Sequence, residues 1–186
     1  MANMITIARI ALIAPFIAFF YIAEAWAMKA AFVVFVIASL TDFLDGYVAR
    51  ARDEVSALGA ALDPIADKLL VAAALVLLTR NGVIRDAGVI AAIAILLREI
   101  LVGGLREALA ARGAALPVTG LAKAKTALQL IAIALLLASA PGGVAGPSIR
   151  PLAAGLFWLA AALTVWTGAG YTLTAAQTLA RTPRGD

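Results

Sequence analysis

The chain has 186 residues, 64% hydrophobic and 14% charged, with a net charge of +4 and a mean hydropathy of +1.02. Soluble domains are nearer half apolar, so this composition excludes an ordinary water-soluble domain and predicts one helical membrane domain over 1–186. There is no Cys and no His, which excludes disulfides, thiolate nucleophiles and imidazole bases, and leaves a metal only oxygen ligands, as Mg²⁺, Mn²⁺ or Ca²⁺ accept.

A spanning helix needs about 20 mostly apolar residues. Six such stretches follow in chain order: 4–23, 28–50, 58–78, 83–111, 121–140 and 152–179. The predicted fold is therefore all-α and polytopic, with six transmembrane helices. The first stretch holds Arg9 and Pro15 and has no basic leader, so Ala25-Trp26-Ala27 is not read as a cleavage site and the helix is expected to be retained. The second closes on Asp42 and Asp45, and the third opens with Gly59, Asp63, Pro64 and Asp67. Pro64 is expected to bend that helix. The fourth carries Arg98, Glu99, Gly103, Gly104 and Arg106, and the fifth opens with Lys123 and Lys125. The sixth shows general hydrophobicity and nothing specific. Polar or turn-rich breaks separate them at 24–27, 51–56, 79–82, 112–120 and 141–151. The last break, PGGVAGPSIRP, is dense in Gly and Pro and reads as the clearest loop. Trp26, Trp158 and Trp166 read as interfacial or packing aromatics.

Orientation follows from Lys and Arg, which collect on the cytoplasmic side. With the amino terminus inside, Arg9, Arg50, Arg52, Lys68, Arg98, Arg106, Arg112, Lys123, Lys125, Arg181 and Arg184 lean towards the cytoplasm. Lys29, Arg80, Arg85 and Arg150 sit opposite. Both termini are thus expected inside a bacterial-type inner membrane. The modest net charge is accounted for by this topology and calls for no nucleic acid.

The informative stretch is Asp42-x2-Asp45-Gly46-x2-Ala49-Arg50-x8-Gly59-x3-Asp63-x3-Asp67. Carboxylates in a membrane segment are costly and face a polar cavity, a partner or a metal. Asp42 and Asp45, three apart, project from one helix face; Asp63 and Asp67, four apart, do the same on the next helix. The hydrophilic link 51–56 makes these helices antiparallel neighbours, so four carboxylates are expected to converge at their cytoplasmic ends. Unaided they would repel one another. A divalent cation resolves that, with a diphosphate supplying the remaining ligands.

This spacing resembles, position for position, the signature of the CDP-alcohol phosphotransferases, membrane enzymes that move a phosphoalcohol from a CDP-linked donor to an alcohol with release of CMP. Asn3-x2-Thr6-x2-Arg9 resembles the opening motif of that family. Arg98-Glu99, Leu105-Arg106-Glu107 and Lys123-Ala124-Lys125-Thr126-x2-Gln129 are similar to its bacterial phosphatidylglycerophosphate synthase branch. The resemblance implies that Asp42, Asp45 and Asp63 hold Mg²⁺ or Mn²⁺, with Asp67 completing the cluster and serving as base. It implies that Gly46, Ala49 and Arg50 line the cytidine diphosphate, that Gly59 permits close approach, and that Asn3 and Thr6 belong to the same CDP-lipid side. It further implies direct displacement by the acceptor hydroxyl at the phosphorus nearer the lipid, and a homodimer.

The acceptor is argued from the second polar cluster. Arg98, Arg106, Lys123 and Lys125 gather near the cytoplasmic ends of helices four and five. Excess cation beside a membrane active site favours an anionic acceptor, and glycerol 3-phosphate fits. Lys123 and Lys125 lie two apart and point to different sides of a helix, so one of them is expected to reach substrate. Glu99 and Arg106, seven apart, are expected to form an acidic–basic stripe, with Gly103 and Gly104 thinning the helix for a ligand or packing helix. The reading is therefore transfer of a phosphatidyl group from CDP-diacylglycerol to glycerol 3-phosphate. Another acceptor, such as inositol phosphate, phosphatidylglycerol or serine, is the alternative within the family. A divalent-cation transporter is the alternative outside it, and predicts matching signals in both halves of the chain; the second half has none.

Overall fold

The computed structural model describes the backbone of residues 2–52, 57–114 and 119–181, and within them the side chains of residues 7–41, 65–66, 68–114 and 119–179. Among these the chain is wholly helical: α1 (Ala2–Phe19), α2 (Ala25–Arg52), α3 (Ala57–Arg80), α4 (Ala87–Ala110), α5 (Gly120–Ala138) and α6 (Arg150–Arg181), with a 3-10 turn at Pro147–Ile149 before α6. Every one coincides with a predicted apolar stretch. The stretch Pro147–Leu179, α4 and α5 are long and apolar enough to cross a membrane; within α1 and α2 the parts with described side chains, Ile7–Phe19 and Ala25–Thr41, are apolar as well.

The ends differ from the sequence reading in instructive ways. Helix α4 starts at Ala87 rather than 83, because Val83 and Ile84 are loop residues folded into the core. Their amides both donate to the carbonyl of Leu78, so their hydrophobicity serves burial without helix. The loop 141–151 is shorter than expected, since the 3-10 turn and the start of α6 occupy its end. Pro147 stands at the start of that turn and Pro151 in the first turn of α6, where a missing N–H costs no hydrogen bond. Pro15 and Pro64 both lie inside continuous helices.

Helix α1 packs on α2 and α3, α6 packs on α4 and α5, and α5 also reaches α2 and α3. Cross-ties mark one end of the bundle. Arg80 Nη1 donates to the Phe20 carbonyl at 3.5 Å, and its guanidinium lies 4.2 Å from the centre of the Tyr21 ring. Arg150 Nη2 donates to the carbonyls of Gly82 and Val83 at 3.0 and 2.9 Å. The helices alternate in direction away from this end. The start of α1, the end of α2 and the start of α3 therefore lie at the other end, with the end of α4, the start of α5 and the end of α6.

The buried apolar side chains form two clusters. The larger includes Phe16, Phe35, Leu70, Leu75, Leu78, Ile95, Ile133 and Phe157. Buried alanines such as Ala31, Ala74 and Ala132 accompany them, and small residues let helix backbones approach where lipid supplies no hydrophobic drive. The smaller cluster is Val102, Leu109, Ala122, Tyr171 and Ala175. On each of α4, α5 and α6 a polar level separates the two clusters: Arg98 and Glu99, then Lys125 and Gln129, then Thr164 and Thr167. That level gathers polar side chains of three helices between the two clusters.

Candidate active site

Asp42, Asp45, Gly46, Ala49 and Arg50 lie in the last part of α2, and Gly59, Asp63 and Asp67 in the first part of α3. Their side chains lie outside the described residues, as do those of Asn3 and Thr6 on α1 and the link 53–56. Among the described residues no group of three or more acids is placed to hold a metal ion. Arg9, from the opening motif, is buried on α1.

The cationic cluster is described in detail. Lys125 is 1% exposed and its ammonium is ion-paired with Glu99 Oε1 across the α4–α5 interface. The same carboxylate oxygen receives Arg98 Nη1 at 3.2 Å. Arg98 Nη2 donates to Thr167 Oγ1 on α6 at 3.3 Å. Glu99 thus bridges two cations and Arg98 ties α4 to α6. Glu99 meets Arg98 and Lys125 rather than Arg106. Seven residues separate Glu99 from Arg106 by about 10 Å of helix rise, too far for a direct pair along one helix.

Arg106 turns to α6 instead, its guanidinium 5.4 Å from the centre of the Tyr171 ring. The Arg98 guanidinium lies 5.7 Å from the same ring. The Tyr171 hydroxyl accepts the amide N–H of Thr119 at 3.0 Å, and Thr119 caps α5 by accepting from the amide of Ala122. Lys123 is exposed while Lys125 is buried, which resolves the pair by helix rotation: only Lys125 joins this cluster.

Two glycines make room for the long cations. A Cβ on Gly168 of α6 would stand 2.7 Å from Arg98 Cγ, and one on Gly103 of α4 would collide with the Lys68 ammonium arriving from α3. Gly104 meets nothing within 4 Å, so of the two glycines it is Gly103 that admits a neighbour. Lys68, Arg98, Arg106 and Lys125 are four cations; Glu99 is the one carboxylate paired among them in the described residues. Arg98 Nε, Gln129 Oε1 and Thr164 Oγ1 are buried without a hydrogen-bond partner among the described residues. Each such group costs about 1–3 kcal/mol when left so, so the polar level retains capacity for further polar atoms.

A profile of CDP-alcohol phosphatidyltransferase matches residues 1–166. The chain belongs to that family. Relatives of high similarity carry one name. A Rickettsia bellii protein called CDP-diacylglycerol--glycerol-3-phosphate 3-phosphatidyltransferase is 42% identical over 175 residues, 91% of each chain. A Cereibacter sphaeroides protein of the same name is 45% identical over 136 residues, 72% of this chain and 61% of its own. An Arabidopsis thaliana protein named as form 1 of that enzyme, chloroplastic/mitochondrial, is 38% identical over 180 residues, 91% of this chain and 60% of its own.

The membership of this CDP-alcohol phosphatidyltransferase was legible from the aspartate spacing. What sequence reasoning missed is the last helix, read as featureless. It supplies Thr167 and Tyr171 to the cationic cluster and Gly168 to admit Arg98. The signal available was the run Thr167-Gly168-Ala169-Gly170-Tyr171-Thr172, small and polar inside an oily helix.

Proposed function

We propose that this protein transfers the phosphatidyl group from CDP-diacylglycerol to sn-glycerol 3-phosphate, forming phosphatidylglycerophosphate and CMP. The observation that carries the acceptor choice is the cationic level of α4, α5 and α6, where Arg98 and Lys125 share one carboxylate and Arg106 stands close by. Three cations grouped at one level, from the buried Lys125 to the exposed Arg106, suit a phosphomonoester and are wasted on a neutral alcohol. The names of the relatives support the same donor and acceptor.

The roles follow the chemistry of the residues. An all-aspartate donor set in a chain without His or Cys fits a hard divalent cation, Mg²⁺ or Mn²⁺. Asp42, Asp45 and Asp63 would hold it, with Asp67 completing the set. Bound there, it supplies charge against the negative oxygens of the diphosphate. Arg50 forks onto a diphosphate oxygen, while Gly46, Ala49 and Gly59 leave space for the nucleotide and Asn3 and Thr6 line its lipid side. Arg98, Arg106 and Lys125 hold the acceptor phosphate; Lys123 is an interface anchor. Asp67 takes the proton from the acceptor hydroxyl as its oxygen bonds to the phosphorus nearer the lipid. The bond from that phosphorus to the bridging oxygen breaks, and CMP leaves with the electron pair. Positioning and electrostatics supply the catalysis, with no covalent intermediate.

In the same reading all six helices cross a bacterial-type inner membrane, both termini and the active site face the cytoplasm, and the protein works as a homodimer. Basic loops at that end support the orientation. The test is purified protein with CDP-diacylglycerol, Mg²⁺ and a panel of acceptors: glycerol 3-phosphate, inositol phosphate, phosphatidylglycerol and serine. CMP release and a new lipid are expected with glycerol 3-phosphate. Release with another acceptor and not with glycerol 3-phosphate overturns the assignment.

A further inference from the structure

We infer that Tyr171, on the last helix, is a positioning residue that sets acceptor specificity by holding Arg98 and Arg106 at one spacing. The inference rests on the proposed acceptor site. Arg98 and Arg106 are eight residues apart on α4, about 12 Å of helix rise, yet both guanidiniums lie over one ring, at 5.7 and 5.4 Å from its centre. These distances lie within the range at which a ring face attracts a cation. Two like charges repel, so their approach to one ring needs an attraction to offset it, which the ring face and, for Arg98, the Glu99 carboxylate supply.

The tyrosine does the gathering without neutralising either charge, as a carboxylate there would. A carboxylate at 171 would compete with a phosphate for both guanidiniums; an aromatic ring adds no negative charge there, and Arg98 Nε stays without a hydrogen-bond partner among the described residues. Arg98 is steadied a second time by Thr167, one turn earlier on α6.

The hydroxyl adds a second link. It accepts the Thr119 amide N–H at 3.0 Å, at the start of the helix that carries Lys125, which is itself held by Glu99 of α4. One buried side chain, 7% exposed, therefore relates the positions of all three cations that the acceptor phosphate would use. Arg98 is placed through the ring, Arg106 through the ring and a hydrogen bond to the hydroxyl, and Lys125 through the start of α5. Tyr171 lies beyond the residues 1–166 matched by the family, as a residue serving one acceptor rather than the shared chemistry can.

The test separates the two links and the two substrates. CMP release is measured for the unmodified protein, Tyr171→Leu and Tyr171→Phe, varying glycerol 3-phosphate and CDP-diacylglycerol in turn. Tyr171→Leu removes ring and hydroxyl, and the KM for glycerol 3-phosphate should rise about tenfold or more while that for CDP-diacylglycerol stays within about twofold. Tyr171→Phe keeps the ring and loses the hydroxyl, so its glycerol 3-phosphate KM should rise about threefold. An unchanged glycerol 3-phosphate KM in either folded variant overturns the inference. Equal rises for both substrates do so as well, since they report general loosening. Should Tyr171→Leu not fold, Tyr171→Phe decides by the same criterion. Absence of glycerol 3-phosphate-dependent CMP release in the unmodified protein is a different failure: it overturns the functional reading, and this inference with it.

Discussion

Gly168→Ala is the smallest change that tests how the last helix serves the cationic cluster. The added methyl would stand 2.7 Å from Arg98 Cγ, with Nε at 3.5 Å and Cδ at 3.7 Å. Carbon atoms rest at about 3.5–4.0 Å, so Cγ must retreat by roughly 1 Å. Cγ is near the root of the side chain, and the whole arginine swings with it. The bond from Nη2 to Thr167 is already long at 3.3 Å and is lost. A hydrogen bond from a charged group contributes about 1.5–3 kcal/mol, and a weakened ring contact adds about 0.5–1 kcal/mol. Alanine's better helix propensity returns up to ~1 kcal/mol. Global stability should therefore fall by about 1–3 kcal/mol, while the guanidinium proposed to bind phosphate is displaced. Since 1.4 kcal/mol is tenfold, the glycerol 3-phosphate KM should rise about tenfold, read from CMP release at saturating CDP-diacylglycerol. Gly170→Ala is the control on the same helix, because nothing stands within 4 Å of its Cβ. Unchanged acceptor kinetics in Gly168→Ala, or an equal loss in Gly170→Ala, would refute the reasoning.

Other outcomes follow from the same reading. Asp67→Asn should lower turnover by about a hundredfold or more while CDP-diacylglycerol binding survives; near-normal activity in the folded variant removes Asp67 from the role of base. Chelation should abolish CMP release and Mg²⁺ or Mn²⁺ restore it; activity persisting after exhaustive chelation counts against the aspartate metal site. Lys125→Met should cost about 2 kcal/mol of stability, less than a fully buried pair because Glu99 keeps Arg98 and some exposure, and should impair acceptor use. Lys123→Met, at an exposed position, should leave both thermal stability and acceptor KM nearly unchanged. Because the chain has no Cys, single cysteines report topology directly. Those replacing Asn81 and Ser148 should label with an impermeant thiol reagent in intact cells, and those replacing Ser56, Ala115 and Thr182 should not; outside labelling at Ser56 contradicts a cytoplasmic site.

The six helices were legible in the sequence because spanning length and apolar content are local properties, readable one stretch at a time. The aspartate signature was legible for the same reason: its spacing lies within one helix pair and the link between them. Helix ends were less so, since Val83 and Ile84 are as hydrophobic in a buried loop as in a helix. For α4, α5 and α6, which face turns inward was not legible. In lipid both the core and the surroundings are apolar, so oiliness carries no directional signal, and α6 offers no broad polar face to orient it. Tertiary packing alone decided that Lys125 and not Lys123 turns inward, and that Glu99 finds Lys125 26 residues away. It also decided that Arg98 and Arg106 converge on Tyr171. These pairings depend on the rotation of each helix about its axis, which close contacts at Gly103 and Gly168 set and hydrophobic pattern does not.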